Sequence, residues 1–305
     1  MSIFTYALNA SMPDVCRGGA LTIGNFDGVH IGHQALLAEA TQQARPTVAV
    51  TFDPHPIQLL RPNSVQPFLT TTADRAALLH QYGADHVLIL QTSPALLQLG
   101  ACEFFERIVS NGLQAKALVE GHSFAFGHNR EGTIAVLKQL CADKTVRLTL
   151  VPPQELSGQT VSSSRVRAEI VAGKVDVAQQ MLGRSYCISG TVGTGQKRGA
   201  KLGYPTANLE QIATLIPGNG VYAVRAHFAG DTWPGAANVG PNPTFGENAR
   251  KVEIHLLGFA DDLYGKSFSV DFVQKIRDTK AFGSAQDLIA QIQADVGNAK
   301  KILGV

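Results

Sequence analysis

The chain has 305 residues, more than a typical single domain and enough for two, each able to bury its own core without disulfides or metals. Hydrophobic residues at 45% and charged residues at 16% describe an ordinary soluble globular protein and argue against a disordered or membrane-embedded one. A net charge of +2 is too small for a general nucleic-acid or membrane-surface binder, so any basic function is local.

In chain order, the opening MSIFTYALNA lacks a basic segment followed by an apolar one, and no apolar run approaches about 18 residues, so a cytoplasmic location is expected. Short β-branched runs then alternate with longer helical patterns, the signature of βαβ units and a doubly wound parallel sheet. Strands are predicted at Ala20 to Gly24, Thr47 to Phe52, His86 to Gln91, Ala117 to Glu120 and Val146 to Val151. Helices are predicted at His33 to Ala44, Ala73 to Tyr82, Ala101 to Val109 and Thr133 to Cys141. A loop entering a helix follows Val151, and a short helix is predicted from Val175 to Leu182.

From Tyr186 onward the pattern changes to β-rich stretches at short intervals, at Tyr186 to Val192, Val221 to Phe228, Trp233 to Val239, Val252 to Phe259 and Phe268 to Phe272. Such spacing predicts a small antiparallel barrel, closed by a final helix with Leu288, Ile289, Ile292 and Val296 on one apolar face. The boundary is placed near Gly183 to Ser185, giving domains 1–184 and 185–305. Cys16, Cys102, Cys141 and Cys187 form no C-x-x-C pair, so they are read as buried free thiols rather than a zinc site or disulfide framework.

The first strand and first helix are joined by Gly24-Asn25-Phe26-Asp27-Gly28-Val29-His30-Ile31-Gly32-His33. A helix start supplies free backbone N–H groups and the positive end of the helix dipole, both suited to phosphate oxygens. Gly32 would let backbone approach a ligand closely, while His30 and His33 could donate to charge growing on an α-phosphate and a departing pyrophosphate. Two spaced histidines alone would favour a helix N-cap and a surface residue. The whole string from Ile23 resembles the H-x-G-H nucleotidyltransferases, specifically the adenylylating domain of bacterial bifunctional riboflavin kinase/FAD synthetases. The resemblance implies ATP and phosphate contacts at Gly24, Phe26, Asp27, Gly28 and Gly32, with His30 and His33 catalytic.

Three further strings resemble the same family. Thr51-Phe52-Asp53-Pro54-His55-Pro56 ends the second strand, where open parallel sheets place ligand groups; His55 is left unassigned. Gly121-His122-Ser123-Phe124-Ala125-Phe126-Gly127 resembles the family's flavin- and nucleotide-side loop and implies flavin-side roles for Phe124 and Gly127; it departs at Ser123, where the family usually has Asp or Asn. Ser162-Ser163-Ser164-Arg165-Val166-Arg167 reads alone as a serine cap with exposed arginines, whereas resemblance to S-S-[ST]-x-x-R implies phosphate contacts from Ser163, Ser164 and Arg167.

The second domain opens with a loop of five glycines and three cations between Ser189 and Asn208 that fits neither G-x-G-x-x-G nor a P-loop. Its Gly203-Tyr204-Pro205-Thr206-Ala207-Asn208 resembles the P-T-A-N motif of riboflavin kinases. If extended, Thr206 and Asn208 share a face, and their oxygens could hold Mg²⁺ beside ATP phosphates. The glycine-rich approach implies ATP contacts at Gly190, Gly193, Gly195, Lys201 and Gly203. In Val252-Glu253-Ile254-His255-Leu256, Glu253 and His255 share the face opposite the apolar residues, ordinarily a solvated one. Resemblance makes Glu253 the carboxylate that takes the ribityl 5′-hydroxyl proton, leaves His255 structural, and puts Arg277 near the flavin.

The family implies riboflavin, FMN and ATP as substrates, FMN and FAD as products, Mg²⁺ as the metal, and no nucleic-acid or membrane partner. Two other readings stay open: a nucleotidyltransferase half acting on another substrate, and a barrel that is a non-catalytic flavin- or RNA-binding module. Intact Thr206, Asn208 and Glu253 favour a catalytic barrel, since a pure binding module needs neither metal donors nor a base.

Overall fold

A computed structural model describes residues 2–64, 66–193, 203–242, 247–259 and 261–305. The chain forms two compact units, Met1–Gln66 with Thr70–Ser162, and Pro67–Leu69 with Ser163–Val305.

In the first unit a six-stranded sheet runs β1 (Ser2–Tyr6), β4 (His86–Gln91), β3 (Thr47–Asp53), β2 (Ala20–Ile23), β5 (Ala117–Gly121), β6 (Arg147–Val151), with every neighbouring pair parallel. The central strands are continuous apolar runs because helices cover both faces. Helix α1 (Ile31–Gln43) follows β2, a short α2 (Pro56–Leu60) and α3 (Thr72–Gln81) follow β3, and α4 (Pro94–Leu97) and α5 (Ala101–Phe104) lead to β5. Helix α5 continues into a wider turn over Phe105–Ser110, and α6 (Ile134–Asp143) precedes β6. Thr71 caps α3 by accepting from Asp74 N at 3.1 Å and donating to its carboxylate at 2.6 Å. The edge strand β1 is absent from the predicted elements. After β6 comes a two-stranded ribbon, β7 (Glu155–Leu156) and β8 (Gln159–Thr160).

The second unit begins with α7 (Ser163–Val171) and α8 (Val175–Leu182), so these helices, which precede the expected boundary at 184/185, belong to the same compact unit as the barrel. Helix α8 buries Val175, Ala178, Met181 and Leu182 and ends at Gly183, whose φ of 68° is the left-handed conformation of a helix C-cap. Strands β9 (Tyr186–Gly193), β10 (Ala207–Glu210), β11 (Gly220–Phe228), β12 (Asp231–Asn242), β13 (Glu247–Leu256) and β14 (Ser267–Arg277) close into a barrel in the order β10-β13-β12-β11-β14-β9, all antiparallel. The terminal helix α9 (Ala285–Leu303) is capped by Ser284 and sets Ala299 and Leu303 against Ala223 of β11. Leu288, Ile289, Ile292 and Val296 on its predicted apolar face are half-buried. The expectation of four buried thiols is corrected: Cys16 and Cys141 are buried, Cys187 is half-buried and Cys102 is exposed on the solvent side of α5. Among the described residues no helix is long and apolar enough to cross a membrane.

Candidate active sites

Strand order in the first unit reverses between β2 and β5, because the chain builds outward from β2 through β3 on one side and from β5 to β6 on the other. Open parallel sheets bind ligands in the crevice beyond the strand ends at such a point. The loop 24–30 leaves β2 there, and the segment after Gly121 leaves β5. Parallel pairing of β2 with β5 stops at Leu21 and Leu118, beyond which the Glu120 carboxylate accepts from Ile23 N at 2.7 Å. Glu120 is 1% exposed, and its burial pushes the carboxyl well above the ordinary 4.5, only partly countered by the Ile23 N–H. A group whose folded pKa is raised stabilises the fold below its unfolded pKa and loses that contribution as pH rises. Denaturation of the full chain should therefore show it losing stability relative to Glu120→Gln above the ordinary pKa of 4.5, by up to about 1.4 kcal/mol per pH unit. A pH-independent difference would mean that the folded carboxyl is ionised.

The loop is held by its own turns and by the start of α3. Phe26, Gly28 and Val29 have φ of 50°, 80° and 40°, and Val29 N closes a turn on Phe26 O at 3.0 Å. Asp27, predicted to contact ATP, is buried and accepts from Thr70 N at 3.2 Å and Thr70 Oγ1 at 3.3 Å, while Gly28 N donates to Thr70 Oγ1 at 3.2 Å. Asp27 therefore shapes the loop. His30 is the N-cap of α1 without a side-chain cap bond, and its ring stacks on His33 at 3.7 Å and 19°. Phe26 meets the His33 ring edge-on at 5.1 Å. Gly32 serves this stack: a Cβ there would lie 3.0 Å from His30 Cε1. At Gly24 a Cβ would lie 3.3 Å from the Phe26 ring. Burial, reinforced by the adjacent His30, holds the His33 imidazole well below the ordinary 6.5, so at neutral pH it is an uncharged donor. Its Nδ1 is buried without a hydrogen-bond partner among the described residues.

The other predicted residues divide between the two units. His55 is a cap, its Nδ1 accepting from Ile57 N at 3.1 Å. Phe124 packs on the hydrophobic core and stacks with Phe126 at 5.4 Å, and Gly127, at φ 72°, lies so near Ala101 that a Cβ would be 2.7 Å from its nitrogen. Both have packing roles, while His122 and Ser123 beside them are exposed. Ser163 and Ser164 open α7 in the second unit, where Arg167 Nε donates to Pro67 O at 3.1 Å.

In the barrel, Asn208 of β10 pairs with Glu253 of β13, Glu253 with Asn238 of β12, Asn238 with Val221 of β11, and Val221 with Arg277 of β14. Directly paired residues of antiparallel strands put side chains on the same face, so one row carries the P-T-A-N asparagine, the predicted base and the predicted flavin-side arginine. Val252, Ile254 and Leu256 are buried while Glu253 and His255 are half-exposed, as the alternation predicts. His255 Nδ1 bonds Pro205 O at 2.8 Å and its ring meets Tyr204 edge-on, tying the strand of Glu253 to the loop of Thr206. Thr206 is exposed beside a pocket of about 130 Å³ lined by Val192, Pro205, Thr206, Ala207, Ile254, Leu256, Phe259, Asp261, Asp262, Leu263 and Tyr264.

Gly190 and Gly193 admit β10 closely: a Cβ would lie 2.5 Å from Glu210 O at the first and 2.1 Å from the Glu210 carboxyl at the second. Gly203 has φ 86°, whereas Gly195 and Lys201 lie outside the described residues. Arg277 makes a bidentate pair with the buried Asp295 of α9 at 2.9 and 2.7 Å and donates to Asp278 O at 2.9 Å, so it also docks the terminal helix. Among the described residues no group of three or more His, Cys, Asp or Glu could hold a metal ion. The hydroxyl and amide oxygens at Thr206 and Asn208 instead suit a hard cation brought in on phosphates, keeping most of its waters.

Known proteins match both units. A family model described as FAD synthetase matches residues 13–165, and one described as riboflavin kinase matches residues 182–303. The chain is 39% identical over 291 residues to the bifunctional riboflavin kinase/FMN adenylyltransferase of Pseudomonas fluorescens, covering 94% of this chain and 93% of that protein. It is 34% identical over 294 residues to the protein of the same name from Escherichia coli K12, covering 95% and 94%. A solved structure described as a macrolide-efflux protein from Streptococcus pneumoniae superposes with a TM-score of 0.87 at 31% identity, covering 97% of this chain and 99% of that one.

Proposed function

The chain belongs to the bifunctional riboflavin kinase/FMN adenylyltransferase family, which makes it an enzyme that converts riboflavin to FMN and FMN to FAD, and we propose that the barrel performs the first reaction and the β2–α1 loop the second. The family match over both halves displaces the readings with another acceptor substrate or a passive barrel. What carries the division is the cross-strand row Asn208, Glu253, Asn238, since it sets a carboxylate beside a motif of phosphate-compatible oxygens in one unit, with the histidine pair in the other.

In the kinase reaction Glu253 accepts the proton of the riboflavin 5′-hydroxyl as that oxygen bonds to the γ-phosphorus of ATP and ADP leaves. Thr206 and Asn208 would hold Mg²⁺ at the phosphates, where the ion would neutralise charge on the oxygens around the transferring group. The pocket of about 130 Å³ beside Thr206 counts Val192, Ile254 and Leu256 in its lining. Arg277 lies on the flavin side of the same row.

In adenylyl transfer a phosphate oxygen of FMN attacks the α-phosphorus of ATP and pyrophosphate leaves, with no covalent enzyme intermediate. The backbone N–H groups that open α1 and the rings of His30 and His33 stabilise the charge on the phosphorus oxygens and leaving group. The proposal includes a cytoplasmic setting for both reactions, a compartment in which free thiols persist.

Incubation with riboflavin, ATP and Mg²⁺ followed by chromatographic separation of riboflavin, FMN and FAD tests the reading. A fragment of residues 163–305 should make FMN and no FAD. It should also be more stable than 185–305, which lacks the helix that buries Val175, Ala178, Met181 and Leu182. If the longer fragment folds yet leaves riboflavin untouched while the full chain phosphorylates it, the two sites are not independent.

A further inference from the structure

Arg75, in the first turn of α3, is 4% exposed, and the chemistry above gives it no task. A buried cation is costly unless acceptors surround it. Its NH1 donates to Asn25 O at 3.1 Å, and its NH2 to Phe52 O at 3.0 Å and Thr72 Oγ1 at 3.3 Å. Thr72 Oγ1 in turn donates to Asp53 Oδ1 at 3.0 Å, and Thr51 Oγ1 reaches the same Asn25 carbonyl at 3.3 Å. Burial pulls the guanidinium below its ordinary pKa while the Asp27 and Asp53 carboxylates oppose that, so the charge is built into the site.

The two carbonyls come from different chain segments, the loop after β2 and the end of β3. Asn25 O belongs to the peptide that leads into Phe26, a left-handed residue whose buried ring meets His33. A rigid path thus runs from the guanidinium through the Asn25 carbonyl and the Phe26 ring to the imidazole. We infer that Arg75 is a positioning residue for adenylyl transfer: its planar fork joins the ends of β2 and β3 and so fixes the Asn25–Phe26 turn on which His33 rests. Lysine would keep the charge but has no such fork. This rests on the reading of His33 as a donor in that reaction.

The test is a double-mutant cycle in the full chain, with Arg75→Lys, His33→Ala and the pair assayed for FAD formation from FMN and ATP, and riboflavin phosphorylation as the internal control. Arg75→Lys is expected to lower kcat for FAD formation by roughly 10- to 100-fold with a smaller change in the KM for ATP, and to leave FMN formation unchanged. On the His33→Ala background the same change should cost less than about threefold, because the group it positions is gone. A merely structural role would lower activity by the same factor on both backgrounds, and that result overturns the inference. Unchanged FAD formation in Arg75→Lys overturns it as well. If His33→Ala is itself silent, the underlying reading falls and takes the inference with it. Should Arg75→Lys not fold, Thr51→Val removes the other donor to Asn25 O without touching a charge; a loss that disappears on the His33→Ala background supports the inference, and no loss overturns it.

Discussion

Replacing His33 by alanine is expected to lower conversion of FMN to FAD by about 10²- to 10³-fold, which corresponds to the roughly 2.7 to 4 kcal/mol contributed by one preorganised donor. The geometry supports an effect of that size at one ring. His33 is stacked on His30 and braced by Phe26, so its donor is held before the substrate arrives and nothing reorganises as charge develops. Because burial keeps the imidazole neutral, the loss should be in hydrogen bonding rather than in net charge, and raising ionic strength should not reproduce it. Riboflavin phosphorylation in the same variant is the control, since the barrel lies in the other compact unit. Equal loss of both activities would point to misfolding or to a shared site.

Much of this architecture is legible in the residues because each element states its own period. The strand predicted at His86 to Gln91 and the helix predicted at Val175 to Leu182 are found with those bounds. The edge strand β1 is missed because Ser-Ile-Phe-Thr-Tyr is half-exposed and is specified by its partner β4 rather than by its own apolarity. Strand β10 is four residues long, too short to show a period, and its existence follows from pairing with β9 and β13.

The sites show the same limit. The strings single out the loop 24–33 and Glu253 as the residues proposed to carry the chemistry; how they are held is not readable there. Gly32 is expected to make room for a ligand, and it also makes room for the His30 ring, which the string does not show. Asp27 is expected to contact ATP, and it also accepts from Thr70, a tie to a distant part of the chain that the string does not show. Arg75 did leave a signal: it shares a buried helix face with Leu79, and an arginine there requires acceptors from elsewhere. Glu120 likewise stands out as an acid in a central parallel strand. Neither set of partners could be named from sequence, because two acceptors of Arg75 and the donor to Glu120 are backbone atoms of distant segments, and backbone atoms carry no residue signature.

Glu253→Gln tests the catalytic reading of the barrel with little change in shape. Glutamine keeps the size of the side chain and a hydrogen-bonding oxygen in the row between Asn208 and Asn238, but it cannot take up a proton at neutral pH. General-base catalysis typically contributes about 10²- to 10⁴-fold, so riboflavin phosphorylation should fall by that order, mainly in kcat, with smaller changes in the KM for riboflavin and ATP. The fold should survive, because Glu253 is half-exposed and the strand is anchored by Val252, Ile254 and Leu256 on its other face. FMN supplied directly should still become FAD at the rate of the parent chain. If the variant phosphorylates riboflavin at an unchanged rate under conditions where chemistry limits turnover, Glu253 is not the base. The row of Asn208, Glu253 and Asn238 would then be a solvated face, with positioning at the phosphates alone left to account for the kinase reaction.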